Sequence, residues 1–265
     1  MAIVNATPDS FSDGGLFLAP EAAVARGLEL AQEGAIWIDV GGESTRPGSA
    51  RVDAKEQIRR TAPVVRGLRR ALDGAGLARV SISIDTTLSE VAAAALTEGA
   101  SLVNDVSAGE EDACLLSLAA RNGAGVCLMH KRGEPASMQR APHYENVVAE
   151  VKAYLLERAK AAQESGIAKE RILLDPGIGF GKTLEHNLAL MRALPEFVAT
   201  GFPILLGASR KRWISEVSGD ASTDRLGGSI AASLWAMRSG AAVVRTHEVR
   251  PHLQAMAAFA AIAGG

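Results

Sequence analysis

The chain has 265 residues, 48% of them hydrophobic, which is enough to bury one substantial core. With 28 Lys and Arg against 30 Asp and Glu the formal net charge is −2, so no overall basic field exists to hold a nucleic-acid backbone or an anionic membrane surface. No apolar run reaches the ~18 residues of a membrane span, and the start lacks the basic and long apolar segments of a signal peptide. The chain therefore reads as a cytoplasmic protein with small molecules for partners. Cys114 and Cys127 form neither a CxxC pair nor a disulfide framework and read as buried reduced thiols.

Short β-prone runs recur in order: "AIV" at the start, "AIWIDV" from Ala35, "VSISID" from Val80, "SLVNDV" from Ser101, "GVCLMH" from Gly125, "RILLD" from Arg171, "PILLG" from Pro203 and "AVVRT" from Ala242. Mostly unbroken apolar runs of this kind suit strands buried on both faces, the mark of a parallel sheet. Helical spacing lies between them, in Ile58, Val65, Leu68 and Leu72, in Val147, Val151, Tyr154 and Leu155, and in Leu226, Ile230, Leu234 and Met237. Eight units of about 33 residues predict an α/β (β/α)8 TIM barrel. No linker or low-complexity segment divides the chain, so residues 1–265 read as a single domain. An open doubly wound sheet is the alternative, set aside because eight strands with helices throughout fit barrel closure better.

Barrel chemistry sits where strands end at their carboxyl side. The residues there are Asn5, Asp39, Asp85, Asn104, His130, Asp175, Ser209 with Arg210 and Lys211, and Arg245 with His247. Taken singly, each Asp or Asn could cap the following helix. Asp85, in "SIDTT", fits that role well, and Asp39, before two glycines, reads as the most structural of the three. Asp175 does not, because Pro176 and Gly177 delay the next helix to about Leu184. Lys211, Arg210, Arg245 and His247 close the last two strands, where barrels often bind phosphate, and Arg46 faces the same rim. Asp85, Asn104 and Asp175 are acceptors for a flat ring rich in N–H groups. Metal-ligand spacing for zinc is absent.

"LLDPGIGFGKT" imitates a phosphate-binding loop. The glycine that GxxxxGK requires falls on Pro176, which has no N–H, and the last glycine of GxGxxG falls on Lys182. Two long loops, "NATPDSFSDGG" and "GGESTRPGS", have the composition of segments that cover a barrel mouth.

These loops, together with "SIDT", "VNDVSA", "LMH", "LLDPGIGFGKT", "SRK" and "RTHEV", resemble the dihydropteroate synthase family of pterin-binding barrel enzymes, in the same order from Asn5 to about Val249. The resemblance implies a transferase of folate biosynthesis that joins 6-hydroxymethyl-7,8-dihydropterin diphosphate to p-aminobenzoate, giving dihydropteroate and diphosphate. It implies that Asp85, Asn104, Asp175 and Lys211 hold the pterin, with Met129 and Phe180 packing nearby. It assigns Asn5, Thr45, Arg46, Arg245 and His247 to the diphosphate, Asn5 also to Mg2+, and Phe11, Asp13, Pro47 and Ser209 to p-aminobenzoate. Asp85, Asp175, Lys211, Arg245 and His247 are the catalytic set it implies, along an SN1-like path. A homodimer and sulfonamide sensitivity belong to the same expectation. Ala6, Lys131, Arg212 and Glu248 depart from the family pattern without removing a named ligand. The rival family is a pterin-binding methyltransferase domain that passes a methyl group from methyltetrahydrofolate to a corrinoid protein; it needs neither "SRK" with "RTHEV" nor the first loop.

Overall fold

The computed structural model describes residues 1–7, 20–44, 49, 51–133, 138, 141–220 and 224–264. The eight apolar runs become eight strands: β1 (Ala2–Asn5), β2 (Trp37–Gly41), β3 (Ser81–Asp85), β4 (Leu102–Asp105), β5 (Gly125–Met129), β6 (Ile172–Asp175), β7 (Leu205–Leu206) and β8 (Val243–Val244). β1 to β6 pair in chain order as one parallel sheet, and β7 pairs with β8. Parallel bridges from Leu174 to Ile204 and from Ala2 to Thr246 join the two pieces into a ring. The amides of Leu174 and Ile3 donate across those seams to Pro203 and Thr246, and the Met1 ammonium donates to the Val244 carbonyl at 2.9 Å. The sheet is thus closed rather than open.

Helices return the chain between strands: α1 (Pro20–Gln32), α2 (Ala54–Gly74), α3 (Ser89–Thr97), α4 (Leu115–Arg121), α5 (Val147–Glu164), α6 (Leu184–Arg192), α7 (Leu194–Val198), α8 (Arg212–Ser218), α9 (Leu226–Arg238) and α10 (Val249–Ala263). Asp53 starts α2 by accepting from the Glu56 amide, and the helix then buries Val64, Val65, Leu68 and Leu72. Asn146 does the same for α5 through the Ala149 amide, ahead of buried Val147, Val151 and Leu155. α9 departs from the apolar face its spacing predicts. Its buried positions are Ser229, Ala232, Ser233 and Ala236, while Leu226, Ile230, Leu234 and Met237 are half-buried. Small side chains let the helix approach its neighbours closely, so the larger residues are turned aside; a Cβ on Gly228 would stand 2.2 Å from Ile214 Cγ2. Among the described residues no helix is long and apolar enough to cross a membrane.

Alternation along each strand sorts side chains into two layers. In β6, Ile172 and Leu174 face the large core under the helices, whereas Leu173 joins Met1, Leu102, Cys127, Leu205 and Val243 in a smaller cluster that plugs the barrel. Two residues further along the inward series stands Asp175. The same step carries Trp37 to Asp39 and Leu102 to Asn104, so the barrel is oily at one end and polar at the other. Cys127 is buried as the sequence suggests, but Cys114 is exposed. It sits at the N-cap of α4, where its neighbours Leu115 and Leu116 take the buried face.

Candidate active site

Register brings the polar strand ends to one level. Asn5 pairs with Gly41, Gly41 with Asp85, Asp85 with Asn104, and Met129 with Asp175. Gly41 keeps that level open, since a Cβ there would lie 3.5 Å from the Asp85 Cβ and 3.8 Å from Asn5 Oδ1. At the centre is Asp39, fully buried one layer below. Its carboxylate accepts from Ser83 Oγ, from Asn104 Nδ2 at 3.0 Å and from Arg245 Nε at 2.6 Å. Arg245 Nη2 reaches Asp85 Oδ2 at 2.7 Å. One guanidinium therefore bridges two carboxylates from different strands, a use of its planar fork that lysine cannot copy.

Asp85 is consequently no helix cap. α3 begins at Ser89 behind Leu88, which offers no side-chain cap, because Arg245 holds the Asp85 carboxylate inside the barrel. Burial raises the Asp85 pKa to about 7 despite the counter-effect of Arg245, with Asp39 and Asp105 pushing the same way. For Arg245, burial works against the charge, but Asp39 and Asp85 outweigh it and hold the pKa above the ordinary value.

Asp175 is buried at the end of β6 and accepts from the Gly177 amide at 2.7 Å. Burial raises its pKa, opposed chiefly by Lys211. Lys211 stands at the start of α8, donates to the Ile178 carbonyl and lies 4.6 Å from the centre of the Phe180 ring. Burial lowers its pKa to about 8 against the pull of Asp175. Gly207 leaves room above the acid: a Cβ there would meet only Asp175 Oδ2, at 3.6 Å. On the neighbouring strand ends, Ser209 Oγ and His247 Nδ1 are 3.0 Å apart, and Thr246 Oγ1 lies 3.3 Å from the same hydroxyl.

The rim thus brings together Asn5, Asp85, Asn104, Met129, Asp175, Phe180, Ser209, Lys211, Arg245 and His247. Phe11, Asp13, Thr45, Arg46 and Pro47 lie outside the described residues. Arg210 leaves the group of phosphate-facing cations, because it pairs with Glu248 while its carbonyl accepts from Arg225 at 2.9 Å. Asp39 has a larger part than its place before two glycines suggests, for nothing in "IDVGG" announces that its carboxylate meets an arginine more than two hundred residues away. Lys182, which in sequence only imitates a phosphate-loop lysine, is buried.

A family profile described as pterin binding enzyme matches residues 1–247. The dihydropteroate synthase of Escherichia coli K12 is 43% identical over 256 residues, 97% of this chain and 88% of its own. The chain belongs to the dihydropteroate synthase family. The Xanthomonas albilineans dihydropteroate synthase solved with 4-aminobenzoic acid superposes with a TM-score of 0.90 at 43% identity, covering 100% of this chain and 92% of that one. The Yersinia pestis dihydropteroate synthase in a sulfonamide drug complex gives 0.91 at 37% identity, over 100% and 94%. Membership carries the barrel with it, and the methyltransferase alternative falls away.

Proposed function

We propose that this chain condenses 6-hydroxymethyl-7,8-dihydropterin diphosphate with p-aminobenzoate at the rim described above, releasing diphosphate. The observation that carries the assignment of roles is the pairing of acceptors with cations on one rim: Asp85, Asn104 and Asp175 beside Lys211 and Arg245. A pterin presents ring N–H groups to carboxylates and a carbonyl to an ammonium, and each charge-assisted bond of this type contributes about 1.5–3 kcal/mol. Phe180 and Met129 supply flat and apolar contact to the ring.

In this reading the C–O bond to the diphosphate breaks first, its electron pair leaving with the phosphate oxygen and positive charge gathering on the pterin methylene. Asp85 and Asp175 stabilise that charge, and Arg245 with His247 stabilises the departing anion. The aromatic amine then attacks through its own lone pair and afterwards releases a proton to solvent. It needs no general base of matched pKa. In this proposal Ser209, beside His247, meets the amine-bearing ring, and Phe11, Asp13 and Pro47 are the other residues assigned to it.

Among the described residues no group of three or more His, Cys, Asp or Glu is arranged to cage a metal. Asn5 offers one neutral oxygen at the rim, which suits Mg2+, an ion that keeps waters and takes the rest of its shell from substrate phosphates. Mg2+ bound there would neutralise diphosphate charge. Thr45 and Arg46 complete the anion clamp in this proposal. The homodimer expected of the family finds support in Trp235 on α9, 43% exposed, and Leu253 on α10, 42% exposed.

The direct test incubates the protein with the pterin diphosphate, p-aminobenzoate and Mg2+ and follows dihydropteroate. Product formation that stops with excess sulfamethoxazole is expected. No dihydropteroate, with substrates intact, would refute the assignment.

A further inference from the structure

The glycine-rich loop after β6 rests on the chain leaving β5 more closely than side chains allow. Gly177, Gly179 and Gly181 have φ of +70°, +84° and +64°, and a Cβ on Gly177 would lie 1.9 Å from the His130 carbonyl oxygen, one on Gly181 2.2 Å from that of Arg132. Carbonyls of both segments crowd into the contact. Into it comes Lys182, 3% exposed, with its Nζ 3.0 Å from the Phe180 carbonyl, 3.3 Å from the His130 carbonyl and 2.9 Å from His130 Nδ1. No carboxylate pairs with it among the described residues. Burial lowers the Lys182 pKa well below the ordinary lysine value, with Asp175 pulling the other way from beyond ion-pair distance, so keeping a lysine here costs stability and asks for a return of another kind.

We propose that Lys182 is a positioning residue for the pterin wall: its ammonium ties the carbonyl after Met129 to the carbonyl of Phe180 and so fixes both ring-facing side chains. The proposal rests on the pterin reading of the site. His130 takes part as the third acceptor. Its ring sits edge-on to Tyr154 at 5.0 Å, which holds Nδ1 towards the lysine. Burial and the nearby Lys182 charge lower the imidazole pKa to about 3, so the ring is neutral and Nδ1 accepts. The Tyr144 hydroxyl donates to the Gly181 carbonyl at 2.9 Å and closes the far end of the loop. Lys211, at the start of α8, donates to Ile178 from the site side and is the second lysine bonded to this loop. Lys182 acts from behind, where substrate does not reach.

The test is Lys182→Met, which keeps length and removes charge. Calorimetric titration with 6-hydroxymethyl-7,8-dihydropterin diphosphate and Mg2+ is expected to give a Kd raised at least tenfold, with KM for p-aminobenzoate within threefold and the urea midpoint equal to or above that of the unaltered protein. A merely structural lysine would lower the midpoint and leave the Kd of the folded fraction unchanged, and that pattern overturns the proposal. Should the variant not fold, a second pair decides. His130→Asn places an oxygen where Nδ1 stands and His130→Leu does not, while both lose the packing on Tyr154; the Asn form is expected to bind the pterin at least fivefold more tightly, and equal affinities overturn the proposal. Failure of the unaltered protein to bind the pterin would instead refute the pterin reading.

Discussion

Three carboxylates and two cations share the upper barrel within reach of one another's charge. Asp39 and Asp85 divide one guanidinium, and Asp85 keeps its proton to about pH 7 because burial outweighs the help of Arg245. Gripping ring N–H groups requires the carboxylate form, which predominates above that pH. Affinity for 6-hydroxymethyl-7,8-dihydropterin, the alcohol lacking the diphosphate, is therefore expected to fall about tenfold per unit as pH drops below about 7, with a slope of one in log Kd. Asp85→Asn should abolish that limb; the same limb persisting in the variant would place the titration elsewhere. Stability runs the other way. The folded protein holds the Asp85 proton where the unfolded chain, with a pKa of about 3.9, has released it, so this contribution to stability declines as pH rises from about 4 to about 7. Urea midpoints across that range should fall less steeply in Asp85→Asn. Residue-scale chemistry was readable where a side chain closes a strand, as for Asp175. It was not readable for Asp39, whose partners Ser83, Asn104 and Arg245 come from three other stretches of chain.

Loops after strands set the shape of the site, and glycines mark where backbone must come close or space must stay open. Gly177 and Gly207 separate the two uses. At Gly177 a side chain meets a carbonyl oxygen at 1.9 Å in a left-handed conformation, whereas at Gly207 an added methyl makes ordinary contact with Asp175 Oδ2 at 3.6 Å. Gly177→Ala is expected to displace the loop and lose both stability and activity. Gly207→Ala should keep its melting temperature within about 2 °C, since the added methyl makes only an ordinary van der Waals contact and meets no strained backbone, yet weaken pterin binding at least tenfold by filling the space above Asp175. Calorimetry and thermal melts on the two variants check this, and a Gly207→Ala protein with unchanged affinity would remove the pterin from that space. The delayed start of α6 at Leu184 was legible because the run "PGIGFG" after Asp175 places three glycines where the chain turns before it can wind. The inner face of α9 was not, because Leu226, Ile230, Leu234 and Met237 write their helical period on a face other than that of the small residues that pack inside.

At the scale of the molecule the eightfold repeat was the strongest signal, since strands buried on both faces write themselves as continuous apolar runs. What the runs did not disclose is that β7 and β8 are two residues each, so that the ring closes through single bridges at Leu174–Ile204 and Ala2–Thr246. Those seams are the weakest parts of the sheet. Amides of Ile3, Leu174 and Thr246 should exchange with solvent faster than those of Ile38, Ile84 and Val103, as local opening requires fewer broken bonds there. Substrate that spans Asp175 and Arg245 bridges both sides of each seam and should slow that exchange; uniform protection with or without substrate would contradict this picture of closure.

Function here requires side chains from strand ends around the whole barrel to grip one small molecule. A crystal structure of the protein with 6-hydroxymethyl-7,8-dihydropterin diphosphate and Mg2+ tests this most directly. The account predicts the ring lodged among Asp85, Asn104, Asp175 and Lys211 against Phe180, with the diphosphate directed to Asn5, Arg245 and His247. Ligand bound away from this rim, or the ring facing solvent with its diphosphate against the aspartates, would contradict it.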